Sequence, residues 1–471
     1  MPGQTPERLS ARRILALVAD PDTFAELPPP ARQSGPDGPL GWQGYDASRA
    51  RAAERTGEEE SVVVGTAHVE GTAAVLIAFE FGFLGGSLGE RTGDRLEAAY
   101  VHARAHRLPV VPLVATGGSR MQEGMLALSQ LQRVARQSAL TREAGLPQIA
   151  VLRDPTTGGG WATLGAGADV ILALPGAQVG FAGSRVRPPD ADPAAFTAEA
   201  QLAAGAVDAV VPLAELRTVL GLWLRLLTAP ATDPADPPAA LDATGLPDTG
   251  LPDTGLPTTG LPATGLPATG WEAVRRARAP RRPRAQAYLD AYFTRRVALV
   301  GDRCGGADPD GMLCGFGERN GRTIAFAAQT GAATRPAGYR TAARLIRLAD
   351  RLDIPVLTLV DTPGAANDAD AERQGAGAAI AELFGEVAAA RMPITTLVIG
   401  EGGSGGALAL AAPGNTWATP DSYFSVIAPE LAAAILKRPP EEVEATADQL
   451  RIRPQDLVEL GVVRGIVTPL P

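Results

Sequence analysis

The sequence is short of the residues on which several common mechanisms depend. Among 471 residues, Cys304 and Cys314 are the only cysteines, which excludes a four-cysteine zinc ribbon and fits a reducing compartment. Lys437 is the only lysine, and no Gly-Lys-Ser/Thr triplet is present. This absence excludes a P-loop and the nucleotide chemistry that depends on one.

Histidine is also scarce, and all of it lies early in the chain, at His68, His102 and His106. Gly402-x-Ser404-x-Gly406 matches the nucleophile elbow of α/β hydrolases, but that fold needs a histidine after the serine. The hydrolase interpretation is therefore rejected. Asp361-Thr362-Pro363-Gly364 resembles a GTPase switch motif; without a P-loop it is better interpreted as a strand-to-loop turn.

Excess positive charge and long apolar runs are absent too. The formal net charge of −9 argues against general nucleic-acid binding. No apolar run approaches the length of a membrane-spanning helix, and residues 1–10 are polar, so we expect neither a membrane span nor a signal peptide. The composition predicts a cytoplasmic globular protein with room for two or three domains.

Two glycine-rich segments occupy matching places in the two halves of the chain, at residues 154–160 and 400–406. Each follows a strand-like apolar run opened by proline, at residues 147–152 and 393–399, and each precedes small residues that could form a helix. A glycine turn between a strand and a helix presents backbone N–H groups that suit a developing oxyanion. Two such turns predict chemistry on two carbonyl-like groups.

The two halves are related by a nearly constant spacing. An offset of 246 residues carries positions of the first half onto the second: Pro109 to Pro355, Pro147 to Pro393, Gly159 to Gly405, and Phe181 to Ile427. Upstream, Gly65 and Gly71 match Gly315 and Gly321 at an offset of 250. The shared order of strand, helix, strand, glycine turn, helix and strand predicts one layered α/β unit in each half.

A segment of low complexity separates the halves. Residues 229–243 are rich in Ala, Pro, Asp and Thr, and residues 246–270 are five tandem copies of Leu-Pro-x-Thr-Gly. A single copy before an apolar segment and a basic tail would indicate a cell-wall sorting signal, but these copies are internal. We therefore interpret residues 229–270 as a long flexible linker between domains at 1–228 and 271–471.

Residues 60–215 resemble the β subunit of the carboxyltransferase of bacterial acetyl-CoA carboxylase. The segments that carry this resemblance are residues 79–89 (FEFGFLGGSLG), 115–124 (ATGGSRMQEG), 154–159 (DPTTGG) and 180–183 (GFAG). Residues 271–469 resemble the α subunit, through residues 277–283 (ARAPRRP), 301–303 (GDR), 338–340 (GYR), 361–365 (DTPGA), 400–407 (GEGGSGGA) and 425–430 (SVIAPE). The whole chain resembles a fused β–α carboxyltransferase.

The resemblance implies a fold and an activity. The fold would be α/β, with two crotonase-like ββα spiral domains. The activity would be biotin-dependent transfer of CO2 from carboxybiotin to acetyl-CoA or a related short acyl-CoA, giving malonyl-CoA through an enolate. Biotin carboxylase and a biotin carboxyl carrier protein would be separate chains, because Lys437 is not flanked by methionines as a biotinylated lysine usually is. A homodimer is also implied.

The resemblance also assigns residues. Gly158 and Gly159 match the family's first oxyanion pair, and Gly405 and Gly406 match the second. Candidates for contact with the CoA thioester are Gly85, Gly86, Gly117, Gly118, Arg278, Arg282 and Ala407. For the glycines a purely structural role is left open. For the arginines, part of a cluster at residues 275–284, a solvated charge run is left open, although arginines do hold phosphates.

The sequence departs from the family in two places. Residues 1–60 contain no cysteine, so the zinc ribbon of the β subunit is missing and no metal is expected. The loop at residues 330–337 is short and lacks a lysine expected near Thr330. These departures keep two alternatives open: a biotin-independent decarboxylase of the malonyl-CoA type, and a non-catalytic scaffold subunit. Service in fatty acid or in polyketide biosynthesis is equally compatible with the sequence.

Overall fold

The computed structural model describes residues 8–33, 35–241 and 265–469. The chain divides into two compact units: unit 1 comprises Met1–Ala229 with Arg303–Gly306, and unit 2 comprises Pro230–Asp302 with Ala307–Pro471. Within the described ranges each unit is built on one eight-stranded sheet. No helix of these ranges is both long and apolar enough to cross a membrane.

The sheet of unit 1 follows the strand order β1-β2-β3-β4-β5-β6-β8, with β7 paired to β5. Its strands are β1 (Ala25–Glu26), β2 (Val62–Val69), β3 (Thr72–Phe79), β4 (Val110–Thr116), β5 (Ile149–Thr157), β6 (Val170–Ala173), β7 (Val179–Gly180) and β8 (Ala209–Val210). Its helices are α1 (Ala11–Val18), α2 (Tyr45–Thr56), α3 (Glu90–His106), α4 (Gly124–Glu143), α5 (Gly158–Gly160), α6 (Ala198–Ala203) and α7 (Leu216–Leu227).

The sheet of unit 2 follows the order β16-β14-β13-β12-β11-β10-β9, with β15 paired to β13. Its strands are β9 (Arg295–Ala298), β10 (Met312–Arg319), β11 (Arg322–Gln329), β12 (Val356–Thr362), β13 (Ile394–Gly403), β14 (Thr416–Ala418), β15 (Tyr423–Ser425) and β16 (Gly465–Ile466). Its helices are α8 (Gly270–Ala277), α9 (Ala285–Tyr292), α10 (Pro336–Arg351), α11 (Ala369–Arg373), α12 (Ala376–Ala389), α13 (Ser404–Leu408), α14 (Pro429–Ile435), α15 (Val443–Gln449) and α16 (Pro454–Glu459).

Each unit opens its sheet with an antiparallel hairpin, β2–β3 in unit 1 and β10–β11 in unit 2. The two-residue turns are Glu70-Gly71 and Asn320-Gly321, and all four residues have positive φ. Paired positive φ angles are the signature of the type I′ turn, whose twist matches that of the strands. Gly71 and Gly321, related by the offset seen in the sequence, are therefore equivalent turn residues.

The parallel strands that follow are in the same register in both units. Leu113 pairs with Val151 in unit 1, and Leu359 pairs with Leu397 in unit 2. The register then shifts at Val114/Thr116 in β4 and at Val360/Thr362 in β12. The prediction of one α/β unit in each half is confirmed.

Strands β3 to β6 form the core of unit 1, because their central residues are buried on both faces. Val75, Ile77, Val114 and Leu152 have no exposed surface and pack in one cluster. Full burial of such a side chain stabilises the folded state by about 1.5–3 kcal/mol. These four central residues carry only apolar side chains. Polar groups and glycines occur at the strand ends, which are therefore where a reactive site can form.

Both ends of the predicted linker pack on unit 2. In residues 230–241, Ala235 and Ala240 are buried in the core cluster of unit 2. Thr395 Oγ1 donates to Ala235 O at 2.7 Å, and the Tyr292 hydroxyl donates to Asp236 O at 2.7 Å. The composition of this segment predicted a spacer, yet its backbone carbonyls accept hydrogen bonds from side chains on a strand and a helix of unit 2.

The last Leu-Pro-x-Thr-Gly copy also belongs to unit 2. The Thr269 side chain caps α8 by accepting a hydrogen bond from Glu272 N at 3.0 Å. A Cβ added at Gly270 would lie 2.5 Å from Ala447 O, so this position requires glycine. The earlier copies, within residues 242–264, lie outside the described residues.

Candidate functional site

The first glycine turn joins the end of β5 to α5. Gly158, the first residue of α5, has φ 62°, a left-handed conformation that favours glycine. Its N–H donates to Phe181 O at 3.0 Å. The Gly159 and Gly160 N–H groups lie in the first turn of the helix, where no intrahelical acceptor is available. A Cβ at Gly159 would lie 2.4 Å from the Leu131 side chain, and one at Gly160 would lie 2.2 Å from Thr116 Cγ2.

Two further glycine loops lie beside this turn, as the sequence predicted for Gly85, Gly86, Gly117 and Gly118. Gly117 N donates to Gly85 O at 2.9 Å, and a Cβ at Gly86 would lie 2.1 Å from Ala115 O. A Cβ at Gly158 would lie 3.2 Å from Gly118 Cα. The structure therefore brings these four glycines and the first turn together through close backbone contacts.

A buried network of charged groups supports the same loops. Arg120 and Glu60, each 1% exposed, form an ion pair. The Arg120 guanidinium also donates to Ser87 O at 2.7 Å, which ties it to the loop that follows Gly86. Burial opposes the charged form of Glu60, but the pairing with Arg120 outweighs it and holds the pKa of the carboxyl below its usual range.

The second glycine turn joins the end of β13 to α13. Its first helical residue is Ser404, with φ 60°, so a serine here adopts the left-handed conformation that a glycine adopts in the first turn. A Cβ at Gly403 would lie 2.1 Å from Pro363 O, so there is no room for any side chain at position 403. At Gly405 a Cβ would meet nothing within 4 Å, so this residue faces open space in the described structure.

Two side chains hold the carbonyl of Gly406 from within unit 2. Gln329 Nε2 donates to Gly406 O at 3.0 Å, and the Tyr339 hydroxyl donates to it at 3.1 Å. Gln329 and Tyr339 are completely buried. Each such bond contributes about 1 kcal/mol, and losing one partner while the other stays buried costs more.

The predicted arginines are engaged within unit 2. Arg282 is 6% exposed and donates to Asp361 Oδ1 at 2.5 Å. Arg278 is partly exposed and pairs with Glu401 at 2.7 Å and with Glu430. Burial opposes its charge, but hydrogen bonds to Glu430 and Glu401 raise the pKa of Arg278 above its usual value. Neither arginine is part of a solvated charge run.

The registers of the two sheets correct one sequence equivalence. β7 pairs with β5 through Thr157 and Gly180, and β15 pairs with β13 through Gly403 and Ser425. The residues that follow these pairs are Phe181 and Val426, which are 73% and 72% exposed. Phe181 therefore corresponds to Val426, and its assignment to Ile427 was wrong because one residue fewer separates the paired strands in unit 2.

Sequence reasoning missed several residues of the two turns. The 246-residue offset, applied to Gly406, would have found Gly160, which occupies the equivalent third helical position. Tyr339 lies in the GYR segment that carries the resemblance, but no local signal connects it or Gln329 with Gly406, because only the fold brings them together. Ala407, predicted as a cofactor contact, is completely buried behind the turn. The roles of the predicted catalytic and CoA-binding residues stay predictions.

Sequence comparison matches both units to families of known activity. Residues 42–214 match the carboxyl transferase domain, and residues 267–470 match the acetyl co-enzyme A carboxylase carboxyltransferase-like family. The chain is 40% identical to the acetyl-coenzyme A carboxylase carboxyl transferase subunits beta/alpha of Salinispora arenicola, over 98% of this chain and 82% of that protein. It is 34% identical to the probable biotin-dependent acyl-coenzyme A carboxylase beta3 subunit of Mycobacterium bovis, over 91% of this chain and 83% of that protein.

Comparison with solved structures supports the fold. The crystal structure of transcarboxylase 12S, a hexamer studied with hydrolysed methylmalonyl-coenzyme A bound, superposes with a TM-score of 0.77 at 20% identity. The match covers 98% of this chain and 87% of that one. The prediction of two crotonase-like domains is confirmed.

Proposed function

Because this chain belongs to the acetyl-CoA carboxylase carboxyltransferase family, with the β and α parts fused, we propose that it carboxylates acetyl-CoA to malonyl-CoA. The observation that supports this most directly is the pair of equivalent glycine turns, one in each matched domain. Both turns keep the same strand register, the same left-handed first residue and close backbone contacts around them. The decarboxylase and scaffold alternatives are not favoured by the relatives.

Two oxygen atoms gain negative charge in this reaction, and backbone amides suit both. When bound, carboxybiotin on a separate carrier protein would supply the CO2 and, once the CO2 has left, a ureido anion that would take the α-proton of the acyl thioester. The thioester carbonyl oxygen would then become an enolate oxygen until the α-carbon attacks CO2. A preorganised N–H donor aimed at such an oxygen is worth about 2.7–4 kcal/mol of barrier lowering.

We propose that the N–H groups of Gly159 in the first turn, and of Gly405 and Gly406 in the second, supply these donors. Gly160, which is equivalent to Gly406, is added to the first set in place of the predicted Gly158, because the Gly158 N–H is already donated to Phe181 O. The open space at Gly405 is consistent with an approaching substrate oxygen. No titratable side chain is assigned to the proton transfer.

For CoA, the proposal rests on the loops of Gly85, Gly86, Gly117 and Gly118, which lie against the first turn. Arg278 and Arg282 are already bound by carboxylates, so their contacts do not support a phosphate-binding role. Biotin carboxylase and a biotin carrier protein are proposed as partners, and a homodimer as the assembly. Preference for acetyl-CoA over longer acyl-CoAs is part of the proposal.

The first test is the reverse reaction. The purified protein is incubated with malonyl-CoA or methylmalonyl-CoA, with and without a free biotin derivative, and acyl-CoA products are followed. Loss of CO2 that requires the biotin derivative and is faster with malonyl-CoA is expected. Loss without biotin would instead identify a decarboxylase. If neither occurs, forward carboxylation with biotin carboxylase and carrier decides, and no turnover there would contradict the proposed function.

A further inference from the structure

Gly406 lies in the last turn of α13, which ends at Leu408, so its carbonyl is one of those that a helix end leaves without an intrahelical partner. Leu410, two residues beyond the helix, donates to Ala407 O at 3.2 Å, while Ala409 N donates to Gly405 O at 2.9 Å. The Gly406 carbonyl is thereby left for donors outside the helix, and Gln329 and Tyr339 are those donors.

The two donors are parts of one buried cluster. Gln329 Nε2 lies 3.4 Å from Thr334 Oγ1, and the Tyr339 hydroxyl donates to the same Gly406 carbonyl as Gln329. All three residues are completely buried. Burial raises the pKa of Tyr339, so its hydroxyl keeps its proton and remains a donor. Because Gly406 O can only accept, the amide of Gln329 must present its nitrogen to it.

The cluster also fixes the residue type at position 406. A Cβ added at Gly406 would lie 2.5 Å from the Tyr339 hydroxyl oxygen and 2.5 Å from Ala365 N. Thr334 is bound to the backbone segment that contains Ala365, because Thr334 N donates to Gly364 O and Ala366 N donates to Thr334 O. Thr334 belongs to the short loop at residues 330–337, so that loop supplies part of the support of the second turn.

Unit 1 has no equivalent of this cluster at the matching positions. Gln329 pairs with Met312 as Phe79 pairs with Val62, so Phe79 takes the place of Gln329. The offset of 246 residues carries Tyr339 to Gly93. Neither phenylalanine nor glycine has a side-chain donor, and the device is therefore specific to the second turn.

We propose that Gln329 and Tyr339 are positioning residues that set the orientation of the second glycine turn for catalysis. They act through Gly406 and contact no reacting atom. The inference rests on the proposed carboxyltransferase function. On this proposal, the hydrogen bonds from Gln329 and Tyr339 hold the peptide planes of the second turn in a fixed orientation.

The first test compares two variants, Gln329→Met and Tyr339→Phe, with a matched control, Tyr292→Phe. Gln329→Met and Tyr339→Phe each remove one donor and keep the volume. Tyr292→Phe removes the same kind of bond, from a buried tyrosine hydroxyl to Asp236 O in the same unit, away from the turn. The expected result is a kcat lower by about tenfold for the first two, with KM for the acyl-CoA unchanged and melting temperatures close to that of Tyr292→Phe.

Gln329→Glu provides a readout that a merely structural role would not give. Its buried carboxyl can donate to Gly406 O only when protonated, and burial raises the pKa of such a group. Activity relative to wild type is expected to rise as the pH is lowered, while the ratio for Gln329→Met stays flat. Measuring all proteins in the same buffers corrects for other titrating groups near the cluster, of which Asp308 is one.

The outcomes separate the two proposals. If wild type shows no carboxyltransfer, the proposed function fails. If wild type is active but Gln329→Met and Tyr339→Phe retain the kcat of Tyr292→Phe, the positioning role is overturned. A pH-independent activity ratio for Gln329→Glu would overturn it as well.

Discussion

The two glycine turns have the same backbone plan but are held in place differently. Beside each turn, the threonine that ends the neighbouring strand, β4 or β12, accepts a hydrogen bond from the glycine two residues later: Gly118 N to Thr116 Oγ1 at 3.0 Å and Gly364 N to Thr362 Oγ1 at 3.2 Å. Around the first turn, support comes from glycine loops tied to a buried ion pair. At the second, neutral side chains hold a carbonyl of the turn itself.

The difference shows that an internal duplication can keep a site and replace its supports. The strand registers and bulges tolerate little change, because a shift of one residue would move every buried side chain to the other face. The groups that pack behind the turn are free to differ, provided that the backbone groups of the turn find partners. Experiments on the two turns can therefore be designed as matched pairs.

The largest effect is expected from Glu60→Gln, which leaves the buried Arg120 with the longer contact, 3.5 Å, to the carboxylate of Glu123. Breaking a buried ion pair in this way lowers the free energy of unfolding by about 3–5 kcal/mol. Chemical denaturation measures the change. Glu59→Gln is the matched control, because Glu59 is 84% exposed and its contact with Arg95 is 3.7 Å long. For that exposed pair about 0–1 kcal/mol is expected. Equal effects of the two variants would contradict the importance of the buried pair.

The same variant predicts a pH dependence. The folded-state pKa of Glu60 lies below the ordinary glutamate value of 4.5, so its contribution to stability is complete above that value. It is lost as the pH falls through the lower, folded-state pKa. The stability difference between wild type and Glu60→Gln is therefore expected to shrink as the pH is lowered below about 4.5. A difference that is constant down to the acid transition would show that Glu60 does not titrate in this window.

Gly405→Ala is expected to separate catalysis from folding. Its methyl group would enter open space at the turn, so we expect kcat to fall on the order of 10²-fold while the fold is kept. Gly377→Ala is the control, since Gly377 is also the second residue of a helix, α12, and its Cβ would meet nothing within 4 Å. Both proteins are expected to melt at or slightly above the wild-type temperature. Full activity of Gly405→Ala would remove Gly405 from the proposed site.

The smallest effect is expected from exchanging the first residues of the two helices. Ser404→Gly relieves a left-handed serine and is expected to stabilise unit 2 by about 1 kcal/mol. Gly158→Ser creates the same strain, and its Cβ would lie 3.2 Å from Gly118 Cα. It should destabilise unit 1 by about 1 kcal/mol or more. Thermal unfolding of both variants checks the opposite signs.

The sequence predicts the two turns well because their determinants are local. Proline-opened strands and glycine spacing are properties of short segments, and the structure confirms them. Gln329 and Tyr339 were not predictable, since they lie 77 and 67 residues before Gly406 and reach it only through the sheet. The buried alanines at 235 and 240 were missed because a segment rich in Ala, Pro and Asp is typical of spacers.

The last Leu-Pro-x-Thr-Gly copy has a consequence for how this chain can change over generations. Tandem copies of one pentapeptide can differ in number without any change in the sequence of the last copy. Here every copy ends in Thr-Gly, and the copy that reaches α8 supplies the cap at Thr269 and the close contact at Gly270. Whichever copy is added or deleted upstream, a Thr-Gly pair still stands before Trp271. The number of residues in the sequence between the two halves can thus vary in steps of five without a change in the first turn of the helix.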